Sequence, residues 1–412
     1  MVWTLLLADT SQLELRAIVL VLAASSTAAI VSRLHSRVVV PAVVVEVLLG
    51  ILIGPQVLGI APLNQYLVFL SDVGLAFLFF FAGLEVIEKK VPRRSLVRGT
   101  VGWGISLALG CIVGVVLHES GVDAAWWLLG VALATTALGT LVPILSDTGV
   151  LATPLGSAVL GTGVAGEFWP IVVISVFLTG VYGATTEVLL LLVFGALVAL
   201  AATVALRARP PRIVRVLQET MHTTGQTAVR VSVFVLAALV LLAVDVGFDF
   251  VLGAFAAGLV VGLGLSSPDG EVVRMRLEGI GFGFLIPIYF VVTGMTFDLD
   301  SLLTAGGLAL AALFLMLLFV VRGTSALLWV RELSRTETLG LALFAATGLP
   351  LIVAIVGIGT DRHAITANVG ASLIGAGMIS VLAFPLLGNR IIGSRPAVVS
   401  VPQAEPEVFD EY

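Results

Sequence analysis

An all-α, polytopic membrane protein is the fold class this sequence predicts, on three observations. Hydrophobic residues make up 59% of the 412 positions and charged residues 11%, against about 25% charged in an ordinary soluble domain. Mean hydropathy is +1.15. Apolar runs of about 20 residues, the length that crosses a bilayer core, recur along the whole chain. This composition excludes a soluble enzyme, a secreted disulfide scaffold and a disordered protein. The 44 Gly suit tightly packed membrane helices.

Thirteen spans are expected, at about 12–33, 38–54, 67–87, 99–117, 125–146, 155–181, 185–206, 226–244, 248–264, 280–297, 302–330, 337–358 and 365–388. The breaks between them carry turn chemistry such as Gly54-Pro55 and Asp269-Gly270. With that count, 17 of the 21 basic residues fall on one side of the membrane. They include Arg33, Lys89, Lys90, Arg93, Arg207, Arg274, Arg331 and Arg390, while the other side holds only Arg362. By the positive-inside rule, the N-terminus is expected outside and the C-terminus in the cytoplasm of a bacterial inner membrane. Trp103, Trp126 and Trp127 are read as interfacial anchors. The stretch 389–412 is polar, Pro-containing and acidic at its end, and is expected to be a disordered cytoplasmic tail.

Three motifs recur in order. EVLLGILIG (46–54) matches GAFAAGLVVG (253–262), FFFAGLEV (79–86) matches YFVVTGMTFDL (289–299), and ATTALGTLVP (134–143) matches AATGLPLIV (345–353). From Gly83 to Thr136 is 53 residues, as it is from Gly294 to Thr347. The matching spans are seven apart, an odd number, so the two copies run in opposite directions through the bilayer. The transmembrane unit, 1–388, is therefore expected to hold two inverted six-span repeats, about 12–181 and 226–388, joined by a linker helix at 185–206. Inverted repeats characterise secondary transporters.

Charges inside a span are costly, about 2.5–3.5 kcal/mol each at the centre on the insertion scale. Glu167 is the leading candidate. It lies in GTGVAGEFWPIVV (161–173), about twelve residues from the nearer end of its span, too deep to snorkel. A carboxylate there can hold either a proton or a desolvated monovalent cation. Thr135, Thr136 and Thr347, expected to share the ion- and proton-binding site with Glu167, stand beside Gly139, Gly348 and Pro350 at equivalent repeat positions. Unwound segments there would free backbone carbonyls and helix ends for a cation; ordinary Thr back-bonding is the alternative. Gly166, Arg322 and Glu85 are possible supporting residues. Arg322 either snorkels or neutralises a carboxylate in the core. Glu85 reads as a helix-end charge paired with Lys89 or Arg93, and Glu46 is a further acid in the second span.

No Walker loop, dinucleotide fingerprint or nucleophile motif is present. The single Cys and four scattered His offer no metal set. No cofactor and no nucleic-acid partner is expected, and an enzyme is the least expected class.

The motifs PAVVVEVLLGILIGPQVLG (41–59), LSDVGLAFLFFFAGLEV (70–86), ATTALGTLVPILSDTGVLAT (134–153), FVLGAFAAGLVVG (250–262) and FLIPIYFVVTGMTFDL (284–299) resemble the monovalent cation:proton antiporter superfamily. The resemblance is to its Kef-type and bacterial sodium/proton exchanger branch, over about 10–390. It implies a dimerisation domain beside a mobile core domain, an elevator movement, a homodimer, and crossed unwound helices next to an ion-binding carboxylate, here Glu167. Two departures stand out. Many members have Asp-Asp where this chain has Gly166-Glu167, and electrogenic members have a Lys in the tenth span, where 287–296 reads PIYFVVTGMT. The implied activity is exchange of Na⁺ or K⁺ for H⁺, electroneutral because no second proton carrier is visible. A proton-coupled drug or metabolite exporter on this scaffold and a channel-like K⁺ efflux pathway are the alternatives.

Overall fold

The computed structural model describes residues 2–34, 40–88, 91–147, 150–177, 192–200, 203, 226–265 and 270–393, and these residues are overwhelmingly helical. Three helices precede a first break-containing bundle: α1 (Val2–Leu34), α2 (Ala42–Ile53), α3 (Gln65–Glu88), α4 (Arg93–Glu119), α5 (Trp126–Leu133), α6 (Leu138–Asp147) and α7 (Pro154–Phe177). The second half has α8 (Thr227–Val246), α9 (Phe250–Gly264), α10 (Gly270–Ile280), a π-helical turn (Gly281–Leu285), α11 (Ile286–Met295) and α12 (Leu299–Leu302). It ends with α13 (Ala305–Gly323), a 3₁₀ turn (Thr324–Trp329), α14 (Arg335–Ala345), α15 (Pro350–Asp361) and α16 (Ala367–Ile392). Nine segments of the described residues are long and apolar enough to cross a membrane; α2 and α9 are shorter and apolar. The molecule is a multi-pass membrane protein.

Twelve of the thirteen expected spans coincide with described helices. The seventh, 185–206, lies largely outside the described residues; 192–200 are helical. Three readings need correction. The polar segment Gly270–Ile280 is a helix rather than a loop. It buries only Gly270, Val273 and Leu277, and Arg274 pairs with Glu278 one turn on at 2.8 Å, so one apolar stripe suffices. The expected tail at 389 starts too early, because α16 runs on to Ile392. Trp103 is not an anchor. It is 6% exposed and stacks on Trp169, with ring centroids 5.9 Å apart.

The helices pack in two sets. In one, α2 lies on α1 and α11, α3 on α9 and α11, and α8 on α9. In the other, α4 lies on α5 and α7, and α13 and α14 lie on α16 and on each other. Helix α7 meets α3 and α9 across the seam, where the rings of Phe168 and Phe255 stand 5.5 Å apart.

Without water to drive apolar surfaces together, membrane helices gain stability from close contact, and small residues permit it. The repeated glycines serve this purpose. A methyl group on Gly50 would meet the Val291 carbonyl, and one on Gly294 would meet that of Val47. Likewise, a methyl on Gly83 would meet the Phe255 carbonyl, and one on Gly258 that of Phe80. The pairs α2/α11 and α3/α9 are equivalent under the repeat, so the recurrence seen in sequence is a recurrence of one backbone-on-backbone contact. Gly258→Ala should force α3 and α9 apart and lower stability by about 1–3 kcal/mol, seen as an earlier thermal transition of the detergent-solubilised protein. Gly104→Ala, where a methyl meets nothing within 4 Å, should leave the transition unchanged.

Candidate functional site

Two helices are broken in mid-membrane at the expected repeat positions. Residues 134–137 separate α5 from α6, and 346–349 separate α14 from α15. Pro350 at the first turn of α15 favours the second break, since the residue before a proline resists helical backbone. In hydrocarbon the freed backbone groups must find partners, and here the opposite break, α7 and α16 supply them. Ala137 N–H donates to Thr347 O at 2.7 Å, and Thr136 N–H donates to Gly166 O at 3.2 Å. Gly348 N–H donates to Ser380 Oγ at 3.2 Å.

Glu167 sits on α7 facing the first break and is 8% exposed. Its Oε1 accepts from the N–H of Leu138 at 2.6 Å and of Gly139 at 3.3 Å. The carboxylate thus caps the N-terminus of α6, where unpaired N–H groups and the helix dipole favour negative charge. Two physical terms oppose each other at this group. Burial disfavours the anion, and the α6 N–H groups favour it.

Arg322, on α13, is fully buried. It does not snorkel, and no carboxylate among the described residues lies within ion-pair distance of it. Its Nε donates to Thr136 Oγ1 at 2.7 Å and its Nη2 to Thr162 O at 2.6 Å. The Thr136 hydroxyl in turn donates to Ala345 O, the last residue of α14, at 2.6 Å. Positive charge is therefore relayed to a half-helix C-terminus, while Glu167 neutralises a half-helix N-terminus. Both assignments match the sign of the helix dipole.

The remaining candidates are placed as follows. Thr135 Oγ1 donates to Ala132 O at 2.8 Å and Thr347 Oγ1 to Leu343 O at 3.1 Å, each within its own helix turn. Thr136 is the junction between α7, α13 and α14. Glu85, near the end of α3, approaches the site: its Oε1 lies 3.8 Å from where a Gly139 Cβ would stand. Of its two expected partners, Lys89 lies outside the described residues and Arg93 is the first residue of α4. Sequence reasoning attached no role to Glu46, which the structure places at the same cavity as Glu85 and Glu167. Its only signal was a lone acid in an apolar run.

That cavity, of about 420 Å³, opens where α1 and α3 end and α2 begins, and Glu167, Ala137 and Pro350 form its floor. A second cavity of about 360 Å³ lies at the opposite helix ends, with Asp72, Asp298 and Asp361 in its wall. Leu78, Phe290 and Leu351 face the first cavity, and Leu75, Tyr289 and Val353 face the second. On α3, apolar residues about one helical turn apart, Leu75 and Leu78, separate the two as an apolar layer.

Comparison with known proteins decides the family. A family model described as "Sodium/hydrogen exchanger, transmembrane" matches residues 20–389. The chain belongs to the sodium/hydrogen exchanger family. It is 26% identical over 368 residues to the putative Na⁺/H⁺ antiporter YjbQ of Bacillus subtilis, a match covering 85% of this chain and 59% of that longer relative. It is 24% identical over 373 residues to the probable Na⁺/H⁺ antiporter 3 of Methanocaldococcus jannaschii, covering 88% and 93% of the two chains. Among solved structures, the sodium proton antiporter MjNhaP1 of Methanocaldococcus jannaschii has the same fold, with a TM-score of 0.65 at 19% identity over 90% of this chain and 95% of that one.

Within this exchanger-family chain, Gly166 and Arg322 explain each other. A Cβ on Gly166 would lie 2.5 Å from Arg322 Nη2 and 2.6 Å from Thr136 Oγ1. The space for a first acidic side chain is filled by a guanidinium and a hydroxyl. Thr136→Val would strip Arg322 Nε and Ala345 O of their partner in a buried setting, at about 1–3 kcal/mol. Thr135→Val should be nearly silent, since it removes only a bond within one helix turn. Thermal unfolding of the two purified variants beside wild type checks the contrast.

Proposed function

We propose that this protein exchanges a monovalent cation, Na⁺ or K⁺, for protons, with Glu167 as the shared site. The observation that carries the reading is a buried carboxylate at the crossing of two broken helices, on the floor of a cavity whose described ionisable residues are all acidic. The names of the relatives support the substrate class. Thr136, Gly166 and Arg322 hold the crossing in shape around Glu167, Thr135 and Thr347 stand in the two breaks beside it, and Glu85 flanks its entrance. The set containing α7 moves as an elevator against the set containing α1–α3. That motion carries Glu167 from the first cavity to the second past the apolar layer. The chain acts as a homodimer through the non-moving set. The face where α3 ends and α4 begins is cytoplasmic, because the basic loops gather there.

The test is cation-dependent proton flux in proteoliposomes, scanned over Na⁺, K⁺ and Li⁺. Glu167→Gln should abolish exchange if one carboxylate carries both ions, with the protein still folded and monodisperse. Exchange at the wild-type rate in that variant contradicts the reading.

One carboxylate exchanges one proton for one cation, and Arg322 is held by Thr136 and Thr162 rather than by an acid that could release it. Transport is therefore electroneutral. A membrane potential imposed with valinomycin at zero pH gradient, with Na⁺ as substrate, should drive no protein-dependent proton movement. Potential-driven movement that requires both protein and cation would refute the one-for-one count. A second reading, export of an organic cation, draws on the aromatic wall of Phe79, Phe81, Phe282 and Phe290 in the first cavity. Saturable inhibition of Na⁺ exchange by lipophilic cations, with their proton-coupled uptake, would favour it.

A further inference from the structure

Glu46 is a carboxylate for which packing supplies no reason. It is the only ionisable residue in α2, AVVVEVLLGILI, and it is 5% exposed. It has no hydrogen bond and no ion pair among the described residues. A buried anion with no partner is strongly disfavoured, so Glu46 must either hold a proton or meet a cation from outside the protein. The same cavity that ends on Glu167 gives it that access. Of the elements around this cavity, α1 contributes Ser32, α3 contributes Glu85, the π-helical turn and α11 contribute Phe282 and Phe290, and α7 contributes Glu167. No basic group among the described residues faces Glu46.

Its place in the fold gives it a distinct task. Helix α2 packs on α1 and α11, in the set that does not contain Glu167. Any movement of one set against the other separates the two carboxylates. Glu46 also lines only the first cavity and is absent from the wall of the second.

We propose that Glu46 is a stationary cation-binding site at one membrane face. It takes up a monovalent cation entering the first cavity and passes it to Glu167. The proton released from Glu167 then leaves through Glu46 to the water of the cavity. The proposal rests on the antiport reading above and adds a sidedness to it that Glu167 alone does not have.

The test uses the full chain in everted and right-side-out membrane vesicles of a bacterium lacking its own Na⁺/H⁺ exchangers. Na⁺-driven proton movement is followed as Na⁺ is varied on one face at a time. Glu46→Gln keeps the side chain's shape and removes its charge. It should raise the apparent KM for Na⁺ about tenfold, the scale of one lost charge contact near a protein surface, at the face where the first cavity opens. KM at the other face should stay within about twofold. Glu46→Asp should restore most of the affinity at the affected face. If Glu46→Gln does not fold, Glu46→Asp alone decides, through a smaller rise confined to that same face. An unchanged KM at both faces, or an equal rise at both, overturns the proposal while leaving the antiport reading intact. No Na⁺-driven proton movement in wild-type vesicles refutes the antiport reading itself and this proposal with it.

Discussion

The crossing of two interrupted helices is the constraint on which the rest of the structure depends. An interruption in mid-membrane exposes donors and acceptors that hydrocarbon cannot satisfy. The chain answers with direct bonds between the breaks, Ala137 to Thr347, and with outside partners for the rest: Gly166 for Thr136 and Ser380 for Gly348. What remains is charge. The N-terminus of α6 is met by Glu167, and the C-terminus of α14 is met, through Thr136, by Arg322. The same backbone irregularity is met by a buried carboxylate and a buried guanidinium.

That view accounts for the chain's departure from the paired acids of many antiporters. A second acid at position 166 would need the volume that Arg322 and Thr136 occupy. The guanidinium enters from α13 rather than from α11, where PIYFVVTGMT carries no base. Arg322 bonds a backbone carbonyl and a hydroxyl, so its charge is not balanced by a titrating partner. On the proposed antiport reading, the proton count rests on Glu167.

Much of this was legible in the sequence because membrane folds are constrained by length, hydropathy and loop charge. Twelve of the span positions, the two breaks and the burial of Glu167 all follow from apolar runs, small polar residues beside Gly or Pro, and one deep acid. The recurrence of glycine was also visible, but not its meaning. That Gly50 faces Gly294 and Gly83 faces the α9 backbone is a tertiary fact. The same limit hid the stacking of Trp103 on Trp169 and the duties of the three threonines, whose hydroxyls bond protein carbonyls. Helix α10 was missed because an amphipathic surface helix has no long apolar run. Glu46 stood out as a lone acid, yet only the cavity joins it to Glu167.

The central claim is that cation and proton compete for one carboxylate, and the most direct measurement is the number of protons released per cation bound. Purified protein in lightly buffered detergent solution, titrated with Na⁺ or K⁺ while a pH indicator is read, gives that ratio. The account predicts about one proton per bound cation, and a clearly smaller release from the Glu167→Gln variant. Cation binding without proton release, or equal release from that variant, would contradict it.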